Sequence, residues 1–237
     1  MDWSTPSLNV GEALTFTAYW DPQNGTDRSL DGQVHLIDAA GHIAANQSLQ
    51  LVNDRYPTTA WQPGCPLRAP LDVRVPADLA GGHYSVALQV LDGSAAVGDA
   101  VVLGEVDVRA PERSFEPPAY EHAVGATFGS VAELAGWTRT EGGSLTLIWK
   151  ALGTADVGYA VFVHALDAAD TIISQNDSPP LGGARPTTSW IAGEYLSDTV
   201  TLADTGGVVR YRVGLYDPVS GARLTTADGA DFVILTP

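Results

Sequence analysis

Cysteine, lysine and methionine each occur once in this 237-residue sequence, as Cys65, Lys150 and Met1. A single cysteine excludes an intramolecular disulfide, a zinc knuckle and a Cys-x-x-Cys redox pair. Basic residues are scarce: 12 Lys and Arg against 28 Asp and Glu leave a net charge of −16. Both halves share the deficit, since residues 1–112 carry 5 basic and 14 acidic groups (−9) and residues 113–237 carry 7 and 14 (−7). A field of this sign repels phosphate backbones and anionic lipid, which argues against nucleic acid as a partner.

Long apolar runs are missing as well. The longest, Val157 to Leu166, is interrupted by Gly158 and His164 and falls far short of a membrane span, so no direct membrane insertion of this segment is expected. The start lacks a charged stretch followed by an apolar one, the mark of a secretory leader. Met1 runs directly into Asp2-Trp3 and reads as the cut edge of a larger chain. No Gly-x-Ser-x-Gly elbow, phosphate loop or dinucleotide fingerprint is present, and no cofactor is expected.

What the sequence does contain is a copy of itself. Val34-His35-Leu36-Ile37-Asp38-Ala39-Ala40 returns as Val163-His164-Ala165-Leu166-Asp167-Ala168-Ala169. Pro57-Thr58-Thr59-Ala60-Trp61 returns as Pro186-Thr187-Thr188-Ser189-Trp190, both at an offset of 129. Tyr84-x-Val86-x-Leu88 matches Tyr211-x-Val213-x-Leu215, and Leu14-Thr15 in a Gly11-led strand matches Leu145-Thr146 in a Gly142-led one. A period of this size is a domain length rather than a solenoid repeat. The reading is therefore residues 1–109 as the first copy, a proline-rich linker over 110–120, and residues 121–237 as the second copy. Only the second copy has an early segment, Ala126 to Trp137, ahead of its Gly-led strand.

Nearly every apolar segment is short, alternates with period two and is bounded by Gly, Pro, Asp or Asn. Leu14–Trp20, Leu71–Val75 and Val209–Val213 read as half-buried strands. Val34–Ile37 and Tyr159–Leu166 are apolar on both faces, as a central strand would be. Only the stretch around Ser130 to Leu134 is compatible with a helical turn. About seven strands per copy predict an all-β chain of two tandem β-sandwich domains, immunoglobulin-like or jelly-roll-like.

The second copy adds Leu145-Thr-Leu-Ile-Trp149, Gln175-Asn-Asp-Ser-Pro-Pro-Leu-Gly-Gly183, Gly193-Glu194, Asp198 and Gly214-Leu-Tyr-Asp-Pro218. Over roughly residues 126–236 it resembles a β-sandwich domain found at the extracytoplasmic C-terminal end of bacterial multi-span, glycosyltransferase-like membrane proteins. The first copy lacks the Asp-Ser-Pro-Pro piece and the Gly-Leu-Tyr-Asp-Pro turn, and resembles it weakly. The resemblance implies an extracytoplasmic or cell-surface location in a bacterium, with other domains of a parent membrane protein as partners. It implies no activity, and places any enzymatic part outside this chain.

The residues retained by both copies are the candidate sites. His35 and His164 occupy equivalent positions, but their same-face neighbours Ile37 and Leu166 are apolar, which favours hydrogen-bonded structural histidines. No second histidine stands at metal-ligand spacing, and no metal site is expected. Trp61 and Trp190 are candidate sugar-stacking platforms. Against this, a proline and two threonines ahead of each one suit a turn that plugs its indole into the core. Asp38, Asp167, Asp170, Asp177, Asp228 and Asp231 lie near turns without matching a calcium loop, so turn capping is the simpler role. Ser189 or Thr188 with His164 and Asp177 spells a hydrolytic triad only on paper. Three functions follow in order: a non-catalytic spacer or protein-interaction module of a larger cell-envelope protein, a carbohydrate-binding pair recognising glycans through Trp61 and Trp190, and a hydrolase.

Overall fold

The alternation seen in the sequence turns directly into strands with one buried face. The computed structural model describes residues 6–53, 55–140, 143–203 and 206–237; Asp2, Trp3 and Gly142, named above, lie outside these. In β2 (Ala13–Trp20), Leu14 and Phe16 are buried while Thr15 is exposed. In β5 (Leu67–Arg74), buried Ala69, Leu71 and Val73 alternate with exposed Arg68, Pro70 and Asp72. The fold is all-β.

The chain divides into two compact units, Met1–Pro111 and Glu112–Pro237. The first unit contains β1 (Ser7–Asn9), β2, β3 (Leu30–Ile37), β4 (Ile43–Leu49), β5, β6 (Gly82–Asp92) and β7 (Ala95–Arg109). One sheet has the order β1-β7-β6-β3-β4 and the other is β2-β5. The second unit contains β8 (His122–Phe128), β9 (Ala132–Arg139), β10 (Leu145–Ala151), β11 (Ala160–Leu166), β12 (Ile172–Ser178), β13 (Tyr195–Val200), β14 (Arg210–Tyr216) and β15 (Val233–Leu235). Its sheets run β12-β11-β14-β15 and β13-β10-β9-β8.

In both units the histidine-bearing strand lies between its hairpin partner and the Tyr-x-Val-x-Leu strand, giving β4-β3-β6-β7 and β12-β11-β14-β15. The strand ending near Trp20 or Trp149 pairs with β5 or β13 in the opposite sheet. This is the immunoglobulin order, with a C′-C-F-G sheet facing a B-E pair, and it removes the jelly-roll alternative. Each unit closes on its own core. Leu14, Phe16, Val34, Val73, Val86 and Val106 meet in the first, and Trp137, Leu147, Trp149, Val163, Tyr211 and Val213 in the second. Each such side chain contributes about 1.5–3 kcal/mol on burial.

Three expectations are refined. The stretch around Ser130–Leu134 is a hairpin rather than a helical turn: Gly129 takes φ +53°, Val131 N–H donates to the Phe128 carbonyl at 3.2 Å, and β9 begins at once. Once Ala132, Leu134 and Trp137 can pack against β10, strand burial outweighs any local helical tendency. Of the two strands read as central, β11 is buried along its whole length whereas β3 is buried on alternate residues only. The proline-rich stretch is divided between the units. From Glu112 onward it folds with the second, where the Tyr195 N–H donates to the Ser114 carbonyl at 2.8 Å. Tyr120 lies so close to Gly136 that a Cβ there would sit 2.4 Å from its ring.

Candidate functional site

The Pro-Thr-Thr-x-Trp element forms the same device in both units. Proline fixes an extended residue (φ −64°, ψ 159° at Pro57; φ −61°, ψ 151° at Pro186) ahead of a single 3-10 turn, Thr58–Ala60 or Thr187–Ser189. The first threonine is buried and staples two segments. Thr58 Oγ1 donates to the Arg28 carbonyl at 2.7 Å and accepts from the Leu30 N–H at 2.8 Å. Thr187 Oγ1 donates to the Val157 carbonyl at 2.7 Å and accepts from the Tyr159 N–H at 2.9 Å. The tryptophan then donates its indole N–H back across the turn, Trp61 to the Tyr56 carbonyl at 3.2 Å and Trp190 to the Arg185 carbonyl at 2.9 Å. A buried hydroxyl that satisfies one donor and one acceptor explains why both copies keep threonine there.

Beyond that shared frame the two loops diverge. In the second unit Trp190 is 0% exposed, and so is the charged residue Glu194. The Glu194 carboxylate takes Arg113 Nη1 on one oxygen and Arg185 Nη2 on the other, each at 2.5 Å, and Arg113 also donates to the Ser189 carbonyl at 3.1 Å. Two guanidinium partners are what make a fully buried carboxylate tolerable. A second buried carboxylate, Asp198 on β13, accepts from the Leu181 N–H at 2.9 Å. Burial pushes its pKa up, while the Leu181 N–H and the Trp149 indole act in the opposite direction.

At the same offset of 129, Arg185 becomes Tyr56, Glu194 becomes Cys65 and Asp198 becomes Ala69. The filling is therefore missing from the first unit. Of the three exchanged positions, Tyr56 lines a cleft of about 280 Å³, together with Trp61 and with Ser29, Asp31, Gln50 and Asn53 among the polar groups. Trp61 is half-buried, and its ring lies 5.7 Å from that of Trp20, whose own indole N–H donates to the Leu51 carbonyl at 2.8 Å. Of the two candidate platforms, Trp190 is fully buried and Trp61 is half-buried beside the cleft.

The histidines lie elsewhere, on the outer faces of β3 and β11. His35 is half-buried, and its Nε2 is 2.9 Å from Gln33 Oε1. His164 is 8% exposed; its ring packs 5.1 Å from Phe162 and its Nε2 is 3.8 Å from Asp177 Oδ1. Burial lowers the His164 pKa, with Asp177 opposing and Arg212 and Arg223 adding to the depression. Ser189 is buried and donates to the Pro186 carbonyl at 2.8 Å, in its own turn, so the written triad is not assembled. No group of three metal-ligating side chains occurs among the described residues.

The carboxylates near turns are occupied locally. Asp38 accepts from the Ala40 and His42 N–H groups, both at 2.9 Å, and Asp167 from Ala169 and Thr171 at 2.8 and 2.9 Å. Asp170 pairs with Arg210 at 2.7 Å, Asp231 pairs with Arg223 at 2.9 Å, and Asp228 accepts from Thr226. Sequence reading missed the Arg113–Glu194–Arg185 cluster of the second unit and the cleft of the first. The signal was available in the residues that differ between the copies at one offset, rather than in those they share.

No protein-family model and no curated protein matches the chain. Among solved structures it is similar to ICOS in complex with ICOS-L and an anti-ICOS-L VNAR domain, at 12% identity over 98% of both chains and a TM-score of 0.26. It is also similar to a chaperone–tip adhesin complex of CFA/I fimbriae, at 8% identity over 97% and 94% with a TM-score of 0.25. The C-terminal domain of the Streptococcus agalactiae AgI/II polypeptide BspA gives 9% identity over 98% and 95% with a TM-score of 0.23. Likenesses of this size carry no functional argument, and the immunoglobulin-like assignment rests on the strand order itself.

Proposed function

We propose that the chain is a non-catalytic extracytoplasmic module of a larger bacterial cell-envelope protein, its second domain a structural spacer and its first the domain that meets a partner. The observation that carries this reading is the fate of the shared motifs. The Thr-Thr-x-Trp turns, the Asp38 and Asp167 turns and the Tyr-x-Val-x-Leu strands are all accounted for by turn, strand and core interactions. The strongly acidic surface and the resemblance of residues 126–236 to domains of bacterial membrane proteins support the location. Cys65 provides a test, being exposed and the only cysteine. In the full parent protein with any other cysteines replaced, a membrane-impermeant maleimide is expected to label Cys65 on cells whose cytoplasmic membrane is intact. Labelling only after lysis overturns the location.

A second reading, carbohydrate binding, is favoured by the half-buried Trp61 and the cleft beside it, and it applies to the first domain alone. The hydrolase reading receives no support from the arrangement of Ser189, His164 and Asp177.

A further inference from the structure

We infer that the Tyr56–Trp61 cleft of the first domain binds a neutral saccharide of one or two rings; this deepens the reading of the first domain as the one that meets a partner. Three observations lead there. First, the cleft is lined by Tyr56 and Trp61, and Tyr56 stands where the second domain has Arg185, a side chain taken up there by the buried Glu194. Second, the indole N–H groups of Trp61 and Trp20 point inward to the Tyr56 and Leu51 carbonyls. With those N–H groups engaged, the Trp61 and Tyr56 rings that line the cleft are left to offer the apolar contact that the C–H faces of a pyranose require. Third, Ser29, Asp31 and Gln50 on the rim are exposed, which leaves a hydroxyl, a carboxylate and an amide facing the same space as the rings. Stacking from one side and mixed donors and acceptors from another is the chemistry that a polyol with an apolar face requires.

Charge and size narrow the class. Residues 1–112 carry −9, and Asp31 lies on the rim itself, so uronic acids, sialic acids and phosphorylated sugars are disfavoured by like-charge repulsion. At about 280 Å³ the cleft sits at the lower edge of ligand sites, which run from about 300 to 1,000 Å³. It has room for a terminal ring or two, not for an extended chain.

The test is a titration of the intact chain with cellobiose, lactose, maltose and N,N′-diacetylchitobiose, followed by tryptophan fluorescence and amide chemical shifts, with glucuronate as the anionic counterpart. At least one neutral disaccharide is expected to bind with a Kd on the order of 1 mM, shifting amides around residues 29–31, 50–53 and 56–61. Glucuronate is expected to leave them unmoved. Trp61→Ala raises that Kd by about tenfold or more. Tyr56→Ala, at the second ring lining the cleft, weakens binding by a similar factor while the remaining amide spectrum is kept. Absence of a saturable response to every neutral disaccharide overturns the saccharide inference. So does a response that survives both Trp61→Ala and Tyr56→Ala. Either result leaves the non-catalytic reading standing, since that falls only if incubation with the disaccharides releases new reducing ends.

Discussion

Two domains that share a set of sequence motifs, read side by side, show how one turn can be kept while its surroundings differ. Both hold Pro-Thr-Thr-x-Trp in the same turn and both staple it through a buried threonine. The second domain sets a carboxylate between two arginines beside its turn, and the first has a cleft beside Trp61. What the two halves share thus marks the scaffold, and where they diverge their surfaces differ; the differences between the halves are the more informative signal.

The comparison breaks most sharply at Glu194. Glu194→Ala leaves Arg113 and Arg185 facing each other with no counter-charge, and is expected to destabilise the second domain by about 3–5 kcal/mol. Chemical denaturation monitored residue by residue should show the second domain unfolding earlier and the first unmoved. A single shifted transition for both would mean that the domains are not energetically separate.

The shared staple comes next. Thr58→Val and Thr187→Val each remove a hydroxyl that satisfies a buried carbonyl and a backbone N–H, and each should cost its own domain about 1–3 kcal/mol. Similar losses in the two domains would confirm a common frame. A negligible loss at Thr58 alone would show that the open cleft already lets water do the work of the hydroxyl.

Smaller effects separate the domains by pH. His164 is held neutral by burial, so its folded pKa lies below the unfolded one near 6.5, and the unfolded chain takes up the proton first. The second domain should therefore lose stability as pH falls below about 6.5, and His164→Gln should flatten that part of its profile. His83 in the first domain behaves in the opposite sense. Its ring lies 2.8 Å from Asp107 and 3.3 Å from Glu105, and the Asp107 hydrogen bond raises its pKa. Its contribution is full below about 6.5 and fades as pH rises through the raised value. Because His83 is exposed, the effect should be slight and vanish in high salt, which thermal melts of His83→Gln at two ionic strengths can check.

Much of this fold could be read in advance, for identifiable reasons. Period-two burial is a local property, so β2, β5 and β14 are visible in their own residues. Duplication is visible because strand pairs and turns impose the same residues twice. The filling of the second loop was hidden because its partners are distant in the chain: Arg113 reaches Glu194 from 81 residues away, and neither residue belongs to a repeated motif. The hairpin around Gly129 was hidden because Val131, Ala132, Leu134 and Ala135 are spaced like a helical face. Their pairing with β10 decides the matter, and that pairing lies outside any short window. Equally, nothing in Pro57–Trp61 against Pro186–Trp190 tells a half-buried tryptophan from a buried one, because the residues around each ring, Tyr56 in the first domain among them, lie outside the motif.

Arg113 has a further consequence, for inheritance rather than for packing. By sequence alone the second copy begins at residue 121, and the proline-rich segment before it looks like expendable tether. Physically the second domain begins earlier, because a residue of that tether is buried against Glu194. A recombination event or an excision that cut at the end of the prolines would deliver a domain complete in every strand and lacking one of its internal charges. The unit read from the sequence and the unit that folds have different edges, and a transplant of this domain succeeds or fails on the few residues between them.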